Sequence, residues 1–196
     1  ATNGAYPPGS TFKVVTALDY FRTKGSLEGF SYLCEGSITR EDHTIRCYGG
    51  TVHGQEDFYS AFANSCNGAF SSLGLTMDLD RFHATAEELL FNNPLPLSGY
   101  SYKESSFNMK GGAGTWEVLQ KEVKKFLPTS GGTLMTATEA ANLTELMRDV
   151  VVEGTGSSVR TDAYTVAAKT GTAEFETGKE THAWFTGFAP AESPKI

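Results

Sequence analysis

Glycine and proline punctuation limits the length of every element this chain can build. Pro7-Pro8-Gly9, Gly25, Asn92-Asn93-Pro94, Gly111-Gly112-Ala113-Gly114, Ser130-Gly131-Gly132 and Gly154-Thr155-Gly156 interrupt it at short intervals, and such clusters end helices and mark turns. The chain must therefore be assembled from short helices and strands. No apolar run approaches the roughly 18 residues of a membrane span, and no charged-then-apolar leader opens the chain. A chain of 196 residues with 39% apolar and only 20% charged residues buries a core rather than staying disordered. Its net charge of −7 offers no basic field for phosphates, which argues against nucleic acid as a partner. Residues 1–6, Ala-Thr-Asn-Gly-Ala-Tyr, have neither an initiator Met nor a cap before a periodic run, and read as a cut within a longer protein.

Between the breakers the periodicities are legible. Phe12, Val15, Leu18 and Phe21 recur at helical spacing after Pro7-Pro8-Gly9, so a helix is expected from about Ser10, stopped by Gly25. Tyr32 to Cys34 and Thr44 to Tyr48 are β-prone and predict a hairpin with Cys34 and Cys47 on its two arms. Short helices are expected over 56–62, 67–75 and 79–91, which puts Ser65 at a helix–helix junction. Residues 94–109 read as loop. A Gly-flanked segment, 111–133, carries Trp116, Leu119, Val123, Phe126 and Leu127 on one helical face, so a helix is expected there. A further helix spans 137–152, and strand-like runs occupy 164–173 and 183–189, with a turn near Gly178.

Three short patterns carry possible chemistry. Ser10-Thr11-Phe12-Lys13 sets a hydroxyl and an amine one helical turn apart near a helix N-terminus, where a lysine of lowered pKa can take the serine proton. Ser65-Cys66-Asn67 offers a hydroxyl and an amide that could point into a cleft, although Asn64 and Ser65 are also ordinary helix caps. Lys169-Thr170-Gly171-Thr172 places a cation and two hydroxyls on a strand where Gly171 lets a ligand approach the backbone, a setting for an anionic substrate or simply a strand end. Each alone is weak.

Together, S-x-x-K at Ser10, S-x-N beginning 55 residues later at Ser65, and K-T-G opening at Lys169, 102 residues after Asn67, resemble the active-site set of the penicillin-recognising serine acyltransferases. The flanking stretches, Tyr6-Pro7-Pro8-Gly9 before Ser10, Cys47 to His53-Gly54, Val150 to Gly156, and Ala183-Trp184-Phe185-Thr186-Gly187-Phe188-Ala189-Pro190, resemble the transpeptidase domain of class B penicillin-binding proteins. The resemblance implies an α+β fold, a helical region packed against an antiparallel sheet as in serine β-lactamases. It treats 1–196 as one such domain, with part of the sheet missing and segment 111–133 atypical.

The function implied is a D,D-transpeptidase that cross-links peptidoglycan stem peptides ending in D-Ala-D-Ala and is acylated by β-lactams. By that resemblance Ser10 is the nucleophile, Lys13 its base, Ser65 a proton relay, Asn67 a clamp on the substrate amide, and Lys169 a source of field. Thr170, Gly171 and Thr172 border the substrate, with Thr170 or Thr172 on its carboxylate. The N–H groups of Ser10 and Thr172 would form the oxyanion hole. No cofactor or metal is implied. The parent protein would be membrane-anchored on the extracytoplasmic face within a cell-wall synthesis complex, and this chain soluble.

Three departures weigh on activity: the short flanks of the motif set, the Gly-bracketed segment in place of a Gly-Gln-Gly turn and long helix, and Ala168 where Gly commonly precedes K-T-G. They leave open a β-lactam sensor or serine β-lactamase relative and a catalytically silent scaffold, and predict weak acylation of the chain. Glu87-Glu88, the carboxylates one could offer as a hydrolase base, fall in a solvated helical pattern. Cys34 and Cys47 could be a disulfide or two buried thiols. His53 reads as a turn residue rather than a base.

Overall fold

The computed structural model describes residues 7–96, 102–107, 119–121, 132–173 and 181–194. The described elements run α1 (Lys13–Lys24), β1 (Tyr32–Cys34), β2 (Ser37–Arg40), β3 (His43–Arg46), β4 (Gly54–Glu56), α2 (Phe58–Ala63), α3 (Asn67–Gly74), α4 (Leu79–Glu88), β5 (Tyr102–Glu104), β6 (Leu119–Lys121), α5 (Ala137–Val152), β7 (Ala167–Ala173) and β8 (His182–Phe188). They sort into two compact units. The larger comprises Pro8–Met77 with Ala137–Ile196, and the smaller centres on Asp78–Thr136. No described helix is long and apolar enough to cross a membrane.

In the larger unit the helices form because their apolar stripes meet one another. Val15, Ala17 and Leu18 of α1, Phe58 and Phe62 of α2, Ala69 and Leu73 of α3, and Leu146, Val150 and Val151 of α5 are all buried, together with Ala167 and Ala168 of β7. Phe58 sits at the centre. Its ring stacks on Tyr20 at 4.8 Å and meets Phe30 and Phe70 edge-on at 5.6 and 5.8 Å. The ends are fixed locally. Gly25 closes α1 in the left-handed conformation, its N–H donating to Phe21 O at 2.7 Å, and Asp57 opens α2 through a reciprocal capping box with Ser60.

The C-terminal end of α5 locks onto α2. Gly154 and Gly156 return N–H bonds to Asp149 O and Val150 O, and Thr155 N–H donates to Ala63 O at 3.2 Å. A Cβ on Gly154 would collide with the Ala63 carbonyl, so only glycine permits this approach. β7 and β8 pair antiparallel over seven residues, from Ala167↔Phe188 to Ala173↔His182. The antiparallel strands and the helices packed on β7 agree with the expected α+β architecture, although every described sheet has two strands. The expected turn near Gly178 lies outside the described residues.

Two expectations are corrected. The run from Tyr32 to Cys34 does not pair with the run after Thr44. Instead β1 pairs with β4, and β2 with β3. Gly36, at φ 88°, breaks the chain two residues after β1. A tight turn through Glu41, at φ 51°, then folds β3 onto β2, with Thr39 and Thr44 hydroxyls bonded across at 2.9 Å. In the smaller unit, Leu119–Lys121 is a strand paired with β5 and not part of a helix. A short helix isolated between glycines is marginal in water, and β5 offers the same backbone a ladder. The rest of segment 111–133 up to 131 lies outside the described residues.

The smaller unit is otherwise organised around Phe107. Its ring packs on Phe82 and His83 at 5.3 and 5.7 Å, and the Asn92 side chain pairs with its backbone N–H and C=O at 2.7 and 2.8 Å. Glu87 is half-exposed on α4 beside His83.

Phe58 of α2 joins α1, α3 and the segment at Phe30, so Phe58→Ala is expected to lose about 3–5 kcal/mol of stability. Chemical denaturation of the two proteins measures it, and a loss under about 1 kcal/mol would show that the aromatic cluster repacks.

Candidate active site

Ser10 lies in a 3-10 turn, Gly9–Phe12, that leads directly into α1, and Lys13 is the first residue of that helix. The turn rests flush against β7. A Cβ on Gly9 would come within 2.7 Å of Thr172 O, and one on Gly171 within 3.0 Å of Thr11 N, so both glycines are needed for the contact. Gly9 also has φ +56°, which favours glycine on its own account. The turn that bears Ser10 is thereby seated beside Gly171 and Thr172.

Ser65 sits at the junction of α2 and α3, as its flanking patterns predict, and adopts φ 54°. A left-handed serine is an uncommon conformation that neighbours must hold in place. Three bonds hold it: Ser65 N–H donates to Phe62 O at 3.1 Å, Cys66 N–H to Ala61 O at 2.9 Å, and the Asn64 side chain to the buried Glu56 carboxylate at 2.7 Å. Cys66 then caps α3, its Sγ accepting from Ala69 N–H at 3.4 Å, which brings Asn67 to the first turn.

Four of the expected residues meet through hydrogen bonds. Lys13 Nζ donates to Ser65 O at 2.6 Å, Ser65 Oγ at 3.2 Å and Asn67 Oδ1 at 2.7 Å. Lys169 Nζ, from the middle of β7, donates to the same Ser65 Oγ at 3.0 Å and to Thr170 O at 3.1 Å. Asn67 Nδ2 donates to Arg46 O at 2.9 Å. Ser10 Oγ makes no hydrogen bond among the described residues, so the direct Ser10–Lys13 bond expected of a poised pair is not formed. The reason is stoichiometric. An ammonium has three donors, and Lys13 spends all three on Ser65 and Asn67.

Sequence reasoning missed two contributors. Thr155 Oγ1 bonds Thr170 Oγ1 at 2.5 Å, tying the loop after α5 to the K-T-G strand. Glu56 fixes Asn64 beside Ser65. Thr155 between two glycines was a visible signal of a loop held close to something; Glu56 carried none.

The electrostatics are those of a site whose buried amines release their protons more readily than a solvated lysine does. Lys13 is buried and Lys169 wholly so. Burial lowers Lys13 from 10.5 to about 8, against the pull of Cys66, Cys47 and Glu56. Burial and then the Lys13 charge lower Lys169 to about 7. Each ammonium also lies over an aromatic face, Lys13 on Phe70 at 5.3 Å and Lys169 on Phe62 at 5.5 Å. The site can thus accept a proton near neutral pH, shuttle one through Ser65 Oγ, and present positive charge to an anionic ligand.

The same shift has a consequence for stability. Below pH 7 both folded and unfolded chains hold the Lys169 proton and the burial penalty is constant. Between about 7 and 10.5 the unfolded chain binds it and the folded one does not, so stability rises with pH, by at most about 1.4 kcal/mol per unit for one group. Lys169→Met has no such group. Wild type is expected to gain on this variant as pH rises above 7 in thermal unfolding scans, and parallel curves would show that Lys169 titrates normally.

Comparison with known proteins bears on the same residues. The family model described as "Penicillin binding protein transpeptidase domain" matches residues 1–196. The chain is 27% identical over 245 residues to the peptidoglycan D,D-transpeptidase PbpA of Mycolicibacterium smegmatis, covering 100% of this chain and 49% of that protein. It is 26% identical over 239 residues to stage V sporulation protein D of Bacillus subtilis, covering 97% and 37%. The chain therefore spans half or less of the length of these relatives. Among solved structures, the D,D-transpeptidase domain of a peptidoglycan glycosyltransferase from Eggerthella lenta superposes with a TM-score of 0.83 at 23% identity, covering 100% and 60%. The penicillin G acyl-enzyme complex of penicillin-binding protein A from M. tuberculosis gives 0.75 at 24%, covering 100% and 54%. The complex of PBP2 with MreC from Helicobacter pylori gives 0.73 at 22%, covering 96% and 44%. With the match running the full length of the chain and the three motifs meeting in one unit, the chain belongs to the penicillin-binding protein transpeptidase domain family.

Proposed function

We propose that this chain carries the acyl-transfer centre of a peptidoglycan D,D-transpeptidase, with Ser10 as nucleophile, and that β-lactams acylate the same serine. The observation that carries the reading is the convergence of two buried lysines of lowered pKa on Ser65 Oγ, at 3.2 and 3.0 Å, beside the turn that bears Ser10. That is an arrangement for moving protons, costly to maintain otherwise. The names of the relatives and the acyl-enzyme complex of a similar fold support the substrate class.

The steps follow from the donors present. Lys13, as a neutral amine, gives up one of its three donor bonds and uses its lone pair to take the Ser10 Oγ proton. The Ser10 oxygen attacks the carbonyl carbon of the penultimate D-Ala. The N–H groups of Ser10 and Thr172 receive the oxyanion, where charge appears only at the tetrahedral stage. Ser65 Oγ gives its proton to the departing D-Ala amine and regains one from Lys13, with Lys169 stabilising the oxygen between transfers. An incoming stem-peptide amine then attacks the acyl-Ser10 ester and restores the serine. Asn67 holds Lys13 in the resting arrangement, and exchanges that bond or its bond to Arg46 O for the substrate amide. Lys169, Thr170 and Thr172 meet the terminal carboxylate, and Thr155 steadies Thr170.

The parent protein is placed by this reading on the extracytoplasmic face of the bacterial membrane, anchored there and working within a cell-wall synthesis complex of the kind that PBP2 forms with MreC. The short flanks predict weak acylation from sequence, but β7 retains its β8 partner over seven residues with the Ser10 turn seated on it. Labelling of the chain itself is therefore expected. Incubation with a fluorescent penicillin should add one adduct by intact mass, located at Ser10 and abolished in Ser10→Ala. Lys13→Met should slow it by about 10²–10⁴. An adduct that turns over many times would instead identify a hydrolase, and none at Ser10 in the folded chain would overturn the reading.

A further inference from the structure

A second chemical cluster lies behind the Ser65-Cys66-Asn67 turn. Cys34 from the end of β1, Cys47 after β3, His53 before β4 and Cys66 at the cap of α3 bring one ligand atom each within 4.8 Å of one another. The cysteines are all buried and free. Cys34 Sγ is 3.6 Å from Cys47 Sγ and 3.3 Å from His53 Nδ1, and Cys47 Sγ is 3.8 Å from Cys66 Sγ.

The Cys34–Cys47, Cys34–His53 and Cys47–Cys66 separations are close to those around a tetrahedral ion. With Zn–S near 2.3 Å and Zn–N near 2.0–2.1 Å, tetrahedral angles put ligand sulfurs about 3.8 Å apart and sulfur and nitrogen about 3.6 Å apart. A disulfide would need about 2.05 Å between two of the sulfurs and would leave the third thiol and the imidazole unused. We propose that Cys34, Cys47, His53 Nδ1 and Cys66 form a structural zinc site that clips the β1–β4 region to the N-terminus of α3.

The surrounding fold gives an independent reason for a clip. Residues 31–57 contain four strands of three or four residues, and their apolar side chains do not make a core: Leu33, Ile45 and Val52 are 60, 47 and 64% exposed. Short two-stranded ladders without a buried face are marginal in water, whereas a closed metal site contributes folding free energy outright. The donor set is soft and complete, three thiols and one imidazole, with no position left open for water; this is the pattern of structural rather than catalytic zinc. Gly36, at φ 88°, turns the chain two residues after Cys34, and Cys47 N–H donates to Gly36 O at 2.9 Å, so the two ligands are held together by backbone.

The location gives the clip its consequence. Cys66 lies between Ser65 and Asn67, and Arg46, whose carbonyl accepts from Asn67 Nδ2, directly precedes Cys47. A bound ion fixes both ends of that link. The sequence conceals the site because its ligands are spread from Cys34 to Cys66 with no C-x-x-C pair.

The test needs no penicillin, so it fails or succeeds independently of the acyl-transfer reading. The purified chain is expected to hold one zinc per polypeptide by elemental mass spectrometry. Metal-stripped chain reconstituted with Co(II) should give the intense visible absorption of tetrahedral, thiolate-bound cobalt. Cys34→Ser should lose most of the zinc, whereas Thr39→Ala, on the neighbouring hairpin, should keep it. Should Cys34→Ser fail to fold, the wild-type cobalt spectrum decides the matter by itself. A folded wild-type chain that takes up neither zinc nor cobalt, an octahedral cobalt spectrum, or an intact Cys34–Cys47 disulfide by mass after non-reducing purification would each overturn the proposal.

Discussion

The arrangement of this protein depends on burying two ammonium groups against one serine hydroxyl. Lys13 starts α1, Lys169 sits in the middle of β7, and Ser65 occupies a left-handed turn between α2 and α3. Three segments from distant parts of the chain must be held to within a hydrogen-bond length, against both desolvation and mutual repulsion. Placing such groups requires rigid neighbours, and the surrounding packing supplies them. Phe62 and Phe70 lie under the two cations and pack on each other, and Phe58 ties Phe70 to the aromatic cluster behind.

The close approach of α5 to α2 serves the same end. Gly154 lets the chain touch the Ala63 carbonyl, one residue before Asn64 and two before Ser65, while Thr155 reaches Thr170 on β7. One loop therefore registers the Ser65 turn against the strand that carries Lys169. On the other side, Gly9 and Gly171 allow the Ser10 turn to lie on β7 without a gap. The glycines in these places are contact surfaces as much as turns.

The proton traffic proposed for the site rests on this geometry. Lys13 is fully donated to Ser65 and Asn67 at rest, so its lone pair becomes available only when it is neutral, and burial places that change near physiological pH. A solvated lysine would remain charged there and could not serve. The Ser10 hydroxyl makes no hydrogen bond among the described residues, which on the proposed reading leaves it free to engage substrate.

What the sequence alone determined is whatever local chemistry enforces. Gly25 ends α1, the Ala137–Val152 periodicity makes α5, and the β-prone runs around Lys169 and Trp184 make β7 and β8. The order and spacing of S-x-x-K, S-x-N and K-T-G placed Ser10, Lys13, Ser65, Asn67 and Lys169 as site candidates. Tertiary structure decided what has no local signature. Strand partners around Cys34 were chosen by the turns at Gly36 and Glu41 and by the cross-strand contacts between β1 and β4, not by propensity, and Leu119–Lys121 became a strand because β5 could complete its backbone bonds. Likewise Glu56 behind Asn64 and the meeting of Cys34, Cys47, His53 and Cys66 exist only once four elements have folded together, since side-chain convergence depends on distances that sequence separation does not encode.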